Sequence, residues 1–168
     1  LLLRVLRLFR SQHAVAIAVE AAELNAPPAL GEMALGADEG AKVTIIEYAS
    51  LTCSHCAEFS KASAEPLKAL IAKGTVSYEF RNFLLNVMDV PSSLLARCGG
   101  AGPFFQITEQ MFAAQRDWAS KAQSITPAEQ QAFARMTPLQ TAATLASKLE
   151  LDKFVQQRGV GAEKAQIA

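Results

Sequence analysis

From Lys42 to Phe83 the hydrophobic pattern changes period twice, and that succession limits the fold more than any other stretch of the chain. Lys42-Val43-Thr44-Ile45-Ile46-Glu47-Tyr48-Ala49 is nearly continuous in β-branched and aromatic residues, which predicts a central strand covered on both faces. From Cys56 the apolar or small residues fall at Phe59, Ala62, Ser63, Pro66, Leu67, Leu70 and Ile71, the spacing of a helix lying on a core. Gly74 ends that pattern, and Pro66 inside it removes one backbone hydrogen bond and predicts a kink. Thr75 to Phe83 then alternates strictly, with Val76, Tyr78 and Phe80 on one face of a second strand. Strand, long helix and strand make a βαβ unit with a right-handed crossover, so the two strands are expected to be parallel.

After Pro91 the pattern is helical only: Ser92 to Cys98, Pro103 to about Trp118, Pro127 to Arg135, Pro138 to Glu150, and Leu151 to about Gln157. Prolines 91, 103, 127 and 138 each open one of these patterns, where a missing N–H costs nothing. Before the βαβ unit, Asn25-Ala26-Pro27-Pro28 with Gly31, Gly36 and Gly40 reads as loop, with a short strand around Met33 to Leu35. Residues 1 to 10 carry arginines at positions 4, 7 and 10, and Ala14 to Val19 is a small apolar run. This reads either as the tail of a secretory leader, although about 7 to 15 apolar residues are usual there, or as an amphipathic helix with a basic face. The division expected is residues 1–30 leader-like or poorly ordered, 31–90 the αβ part, and 91–168 a helical block. No run approaches the roughly 20 apolar residues of a membrane-spanning helix. That argues against stable membrane insertion, and because sixteen basic residues balance sixteen acidic ones, no net field favours nucleic acid or an anionic membrane surface as a partner.

Cys53-Ser54-His55-Cys56 lies directly between the buried strand and the helix. A cysteine at a helix start meets outward-facing backbone N–H groups and the positive end of the helix dipole, which favour its thiolate. A two-residue spacer lets the second sulfur close a disulfide with the first, giving a reversible two-electron couple. A zinc half-site and an inert structural pair are the competing readings. Zinc would need a second ligand pair, and Cys98, His13 and His55 show no such spacing. His55 is positioned to favour the Cys53 thiolate, or else is an exposed polar residue of a first turn. Leu94, Leu95 and Cys98 are read as sharing one helix face, which makes Cys98 a packing thiol rather than a redox partner. The pattern calls for no cofactor and no metal.

The run Val43 to Cys56 resembles the active-site region of DsbA-like thiol:disulfide oxidoreductases, a bacterial subfamily built on the thioredoxin fold. Arg81-Asn82-Phe83-Leu84-Leu85 and Leu95-Ala96-Arg97-Cys98 support the resemblance, which covers about residues 30 to 160 and is strongest over 41 to 100. It implies an α/β fold in which a thioredoxin-like βαβ unit carries an inserted helical domain. It also implies that Cys53 is the attacking thiolate and Cys56 the recessed resolving thiol. Ser54 departs from the proline usual there, which leaves the redox potential open. Glu47, six residues before Cys53, matches a buried acid thought to relay a proton for the resolving cysteine, and an acid in an apolar strand is anomalous in itself. The alternative is a strand end or face reaching water. Arg81 on the neighbouring strand is its candidate partner.

The family also has a cis-proline loop opposite the cysteines, then two antiparallel strands and a helix, and none of the seven prolines here precedes a strand pattern. The C-terminal strands of the fold are thus expected to be missing from this chain. One edge of the 43–49 strand would then be unpartnered and prone to self-association. The function expected is oxidation of dithiols in exported, periplasmic proteins, with substrate proteins bearing free thiols and a quinone-linked membrane oxidase as partners. The alternatives are a disulfide isomerase or reductase on the same fold, and a truncated inactive fragment that keeps the motif.

Overall fold

The computed structural model describes residues 16–20, 33–35 and 41–167. Among the described residues four strands form one sheet: β1 (Ala16–Glu20), β2 (Met33–Leu35), β3 (Val43–Ala49) and β4 (Val76–Asn82), in the order β1-β3-β4-β2. β3 and β4 are parallel neighbours, with Ile45 opposite Tyr78 and Glu47 opposite Phe80. This is the pairing the βαβ pattern predicts. The short strand at Met33–Leu35 is also present and runs antiparallel to β4.

The other edge of β3 departs from expectation. It is occupied by β1, which runs antiparallel with Ala18 opposite Ile45, so the central strand has ladder partners on both sides. The uncovered edge predicted for residues 43–49 is therefore corrected, and self-association loses the edge from which it was argued. Residues 16–20 are extended rather than helical, because alternating small and β-branched residues suit a ladder as well as they suit a leader. The rest of the segment read as a leader lies outside the described residues.

Between β3 and β4 runs α1 (Ser54–Ala72), a single helix through Pro66. Phe59, Ser63 and Leu67, at i, i+4 and i+8, are its buried residues, a narrower stripe than the pattern suggested. Burying the two large ones contributes about 2 kcal/mol each. The helix ends at Gly74, whose φ of 67° places it in the left-handed region. Gly74 N–H bonds to the Ile71 carbonyl and Thr75 N–H to that of Leu70, the pair of contacts that closes a helix C-terminus on glycine.

The described residues divide into two units, one containing those up to 49 with 53–83, the other 50–52 with 84–167. The second is helical: α2 (Asp89–Arg97), α3 (Ala101–Ala113), α4 (Gln115–Ser120) with a 3₁₀ turn to Ser124, α5 (Pro127–Phe133), α6 (Pro138–Lys148) and α7 (Leu151–Gln156). Among the described residues no strand follows Pro91. The start of α5 is fixed by Thr126, Pro127 and Glu129, and that of α6 by Thr137, Pro138 and Gln140. In each, the threonine and the residue three further on exchange side-chain and backbone hydrogen bonds. The helix expected from Pro103 to Trp118 instead breaks at Ala114, where φ −97° and ψ 12° end α3, and the Trp118 indole N–H bonds back to the Met111 carbonyl. The core of this unit is built on Leu95, Phe104, Met111, Leu145, Leu149 and Leu151, each essentially inaccessible. Every described proline lies on a helix, and every described peptide bond is trans.

Candidate active site

Cys53 is the residue immediately before α1, in an extended conformation (φ −82°, ψ 118°). The first intrahelical bond of α1 runs from Ala57 N–H to the Cys53 carbonyl, so the amides of residues 54–56 point out of the helix start toward the turn that carries Cys53. Cys56 lies on the first turn. Both cysteines are half-buried. A nucleophilic sulfur at such a terminus meets the same N–H groups and dipole that bind anions elsewhere.

His55 is exposed on the outside of that turn, and its Nδ1 lies 3.5 Å from the Glu58 carboxylate, one turn on.

Glu47 lies beneath, in the middle of the sheet. It is buried, at 6% exposure, which excludes the alternative of a strand face reaching water. Its partner is Tyr78, whose hydroxyl donates a short hydrogen bond to Oε2. Burial raises the Glu47 carboxyl to about 7, with the Tyr78 bond pulling in the other direction. Burial likewise lifts the Tyr78 phenol well above its ordinary range, as do the charge and hydrogen bond of Glu47 and the thiolate charge of Cys56. Tyr78 therefore remains a donor across the physiological range. Its electrostatic coupling to Cys56 places that thiol within the field of the phenol.

Arg81 does not fill the role proposed for it. Sheet parity decides the matter: Arg81 stands opposite Tyr48, one residue out of phase with Glu47. Its Nε bonds to Glu79 at 2.5 Å and its Nη1 to the Tyr48 hydroxyl at 2.7 Å. Tyr78 is the site residue that sequence reasoning missed. The signal was available, since among Val76, Tyr78 and Phe80 only the tyrosine can donate to an acid on the same face.

Cys98 lies in the helical unit, as the capping residue after α2. Leu95 is fully buried but Leu94 is 40% exposed, so these two do not share an inward face. Cys98 is half-buried and donates to the Leu94 carbonyl at 3.2 Å, with its thiol pushed up by burial. Among the described residues no cluster of His, Cys, Asp and Glu could hold a metal ion, and no helix is long and apolar enough to cross a membrane.

The family model described as Thioredoxin matches residues 29–168, well over half of the chain. The chain is a DsbA-like member of the thioredoxin superfamily. Solved structures agree with that placement. A protein-disulfide isomerase from Novosphingobium aromaticivorans superposes with a TM-score of 0.72 at 26% identity, over 80% of this chain and 69% of that one. The α-DsbA1 of Wolbachia pipientis superposes with a TM-score of 0.54 at 27% identity, over 84% and 72%. Among curated sequences, a protein of Rickettsia bellii carrying the provisional name protein-disulfide oxidoreductase is 32% identical over 87 residues, 51% of this chain. A Rickettsia prowazekii protein of the same provisional name is 32% identical over 90 residues. In each of these alignments the DsbA-like chain spans about a third of the length of the relative.

Proposed function

We propose that this chain carries out thiol–disulfide exchange through Cys53 and Cys56, in the direction that oxidises dithiols of exported proteins. The observation that carries this reading is the position of Cys53 at the start of α1, with Cys56 three residues on and coupled to the buried Glu47–Tyr78 pair. In the oxidised form a substrate thiolate attacks Sγ of Cys53 and the Cys53–Cys56 bond breaks. Cys56 leaves as a thiolate and then takes up a proton. A second substrate thiolate attacks the substrate sulfur of the mixed disulfide and releases the Cys53 thiolate. Two electrons have then passed from substrate to protein, and the substrate holds a new disulfide. Glu47, with a pKa of about 7, is suited to exchange the proton that Cys56 gains or loses, because a group poised near the working pH moves protons in both directions.

The family resemblance supports a periplasmic or otherwise exported location and a quinone-linked membrane oxidase that restores the disulfide. The isomerase reading rests on the Novosphingobium aromaticivorans superposition. The two readings differ in the equilibrium of the couple: an oxidase holds a disulfide more oxidising than glutathione, and an isomerase one close to it.

The 168-residue chain equilibrated across glutathione redox buffers, acid-quenched and mapped by mass spectrometry tests both. The expected result is a reversible disulfide linking Cys53 to Cys56, stoichiometric transfer to a peptide dithiol, and a trapped mixed disulfide on Cys53 in Cys56→Ser. No internal disulfide at any ratio would remove the proposal.

A further inference from the structure

Three residues separate β3 from Cys53, and each of them is held by a buried side chain of the helical unit. Asp89, at 0% exposure, accepts five hydrogen bonds: from Ser50 Oγ at 2.8 Å, Thr52 N–H at 3.1 Å, Thr52 Oγ1 at 3.0 Å, Leu85 N–H at 2.9 Å and Asn86 N–H at 3.1 Å. Between Ser50 and Thr52, the Leu51 carbonyl accepts from Gln115 Nε2 at 2.8 Å. Asn86 adds a further contact through Nδ2 to Thr52 Oγ1 at 2.7 Å, and is itself fixed by Met88 N–H at 2.9 Å.

A carboxylate without solvent contact is tolerated only where donors replace its water, and this one has donors from two chain segments. Thr52 is gripped at two points, its amide on one carboxylate oxygen and its hydroxyl on the other. That geometry fixes both the backbone and χ1 of the residue directly before the nucleophile. A simple staple between segments would not require the last residue before Cys53 to be the one held twice.

We propose that Asp89 is a positioning residue for Cys53, acting through Thr52 to set the turn on which the thiol is presented and thereby the equilibrium of the Cys53–Cys56 couple. The proposal rests on the redox reading of that pair. Stabilisation of a thiolate by helix-terminal N–H groups depends on where the sulfur is held, and Thr52 controls the torsions that lead to it. Loosening the grip destabilises the reduced, thiolate-bearing form and moves the couple toward the disulfide.

The test uses Thr52→Val, Thr52→Ser and Asp89→Asn in the 168-residue chain, well below each variant's unfolding temperature. The pH profile of Cys53 alkylation and the equilibrium with glutathione are measured for each. Thr52→Val is expected to move the alkylation midpoint upward and to shift the glutathione equilibrium toward disulfide by roughly three- to tenfold, the net scale of one ordinary hydrogen bond felt through the backbone. Thr52→Ser restores both, and Asp89→Asn moves both in the same direction as Thr52→Val. If Asp89→Asn does not fold, the two Thr52 variants decide alone, since Thr52 is only partly buried. Folded variants with lower Tm but unchanged midpoint and equilibrium would overturn the proposal and leave Asp89 as a staple. Failure of the wild-type chain to form the Cys53–Cys56 disulfide is seen without any variant, and would overturn the redox reading together with this inference.

Discussion

Tyr78 donates its phenolic hydrogen to the carboxylate of Glu47, across a parallel strand pair whose register places Tyr78 opposite Ile45, two residues from the acid and on the same face. The two effects on Glu47 are opposed and unequal. Burial, which disfavours the anion, outweighs the hydrogen bond, which favours it, and the carboxyl rests at about 7 rather than in the usual range near 4.5.

Removing the weaker effect should therefore move the acid further up. In Tyr78→Phe the Glu47 pKa is expected to rise above 7 by somewhat less than one unit, the equivalent of about 1 kcal/mol for a single hydrogen bond. Carboxyl infrared absorption followed against pH reads this directly. A downward movement would mean that the phenol contributes to desolvating Glu47 more than it contributes as a donor.

The same raised pKa ties stability to pH. Between about 4.5 and 7 the folded chain keeps the Glu47 proton that the unfolded chain has lost, so this group's contribution falls as pH rises through that window and is level above it. Glu47→Gln should thus leave stability nearly unchanged at pH 4.5 and add up to about 3 kcal/mol at pH 8.5, as the shift converts. Urea unfolding at the two pH values decides it, and an equal effect at both would show that Glu47 is not held neutral by burial.

Arg81→Ala separates the two faces of the sheet. Glu79 is nearly buried and would lose its Nε contact, at a cost of about 1–3 kcal/mol for an abandoned polar group. The titration of Glu47 should stay where it is. A shift there, followed by the same infrared signal, would show that Arg81 acts across the sheet after all.

That correction marks where the sequence was legible and where it was not. Strand alternation assigns side chains to faces, helix spacing located α1, and Gly74 and the prolines of α5 and α6 punctuate the chain locally, so these elements could be read directly. Glu47 stood out because an acid within Ile45-Ile46-Glu47-Tyr48 breaks the pattern. Its partner depends on the register between β3 and β4, and register is a long-range property that no local period encodes. Asp89 escaped notice for the same reason, since the four residues that donate to it are spread over positions 50 to 86. β1 was ambiguous at source. Ala16-Ile17-Ala18-Val19 suits an export leader, a helix or an edge strand, and the pairing with β3 selects the last of these for the described residues.

Pro66 supplies a stability prediction independent of the site. It sits inside a continuous helix, where it withholds an N–H from the Ala62 carbonyl and crowds it. Pro66→Ala should stabilise the chain by about 1–3 kcal/mol, since nothing in the helix geometry requires the ring. A lower Tm in calorimetry would indicate that the ring's packing outweighs the restored hydrogen bond.

The three thiols should also part in reactivity. Cys53 stands at the start of α1, where outward-facing amides and the helix dipole stabilise an anion, and carries His55 two residues on. Cys98 follows α2, near the negative end of that helix, and burial holds its thiol above the ordinary value. Cys56 lies within the first turn rather than at the helix start, and is coupled to the buried Tyr78. Brief alkylation at mildly acidic pH, read by mass spectrometry, should therefore mark Cys53 first and Cys98 hardly at all. His55→Ala should reduce that selectivity if the imidazole contributes, because it lies on the first turn of α1 between the two cysteines. Glu58→Gln should raise the rate at Cys53, since it removes a negative charge from the second turn of α1, beside the His55 side chain. Equal labelling of all three cysteines in the wild-type chain would remove the helix start as the source of activation, and with it the assignment of Cys53 as the attacking sulfur.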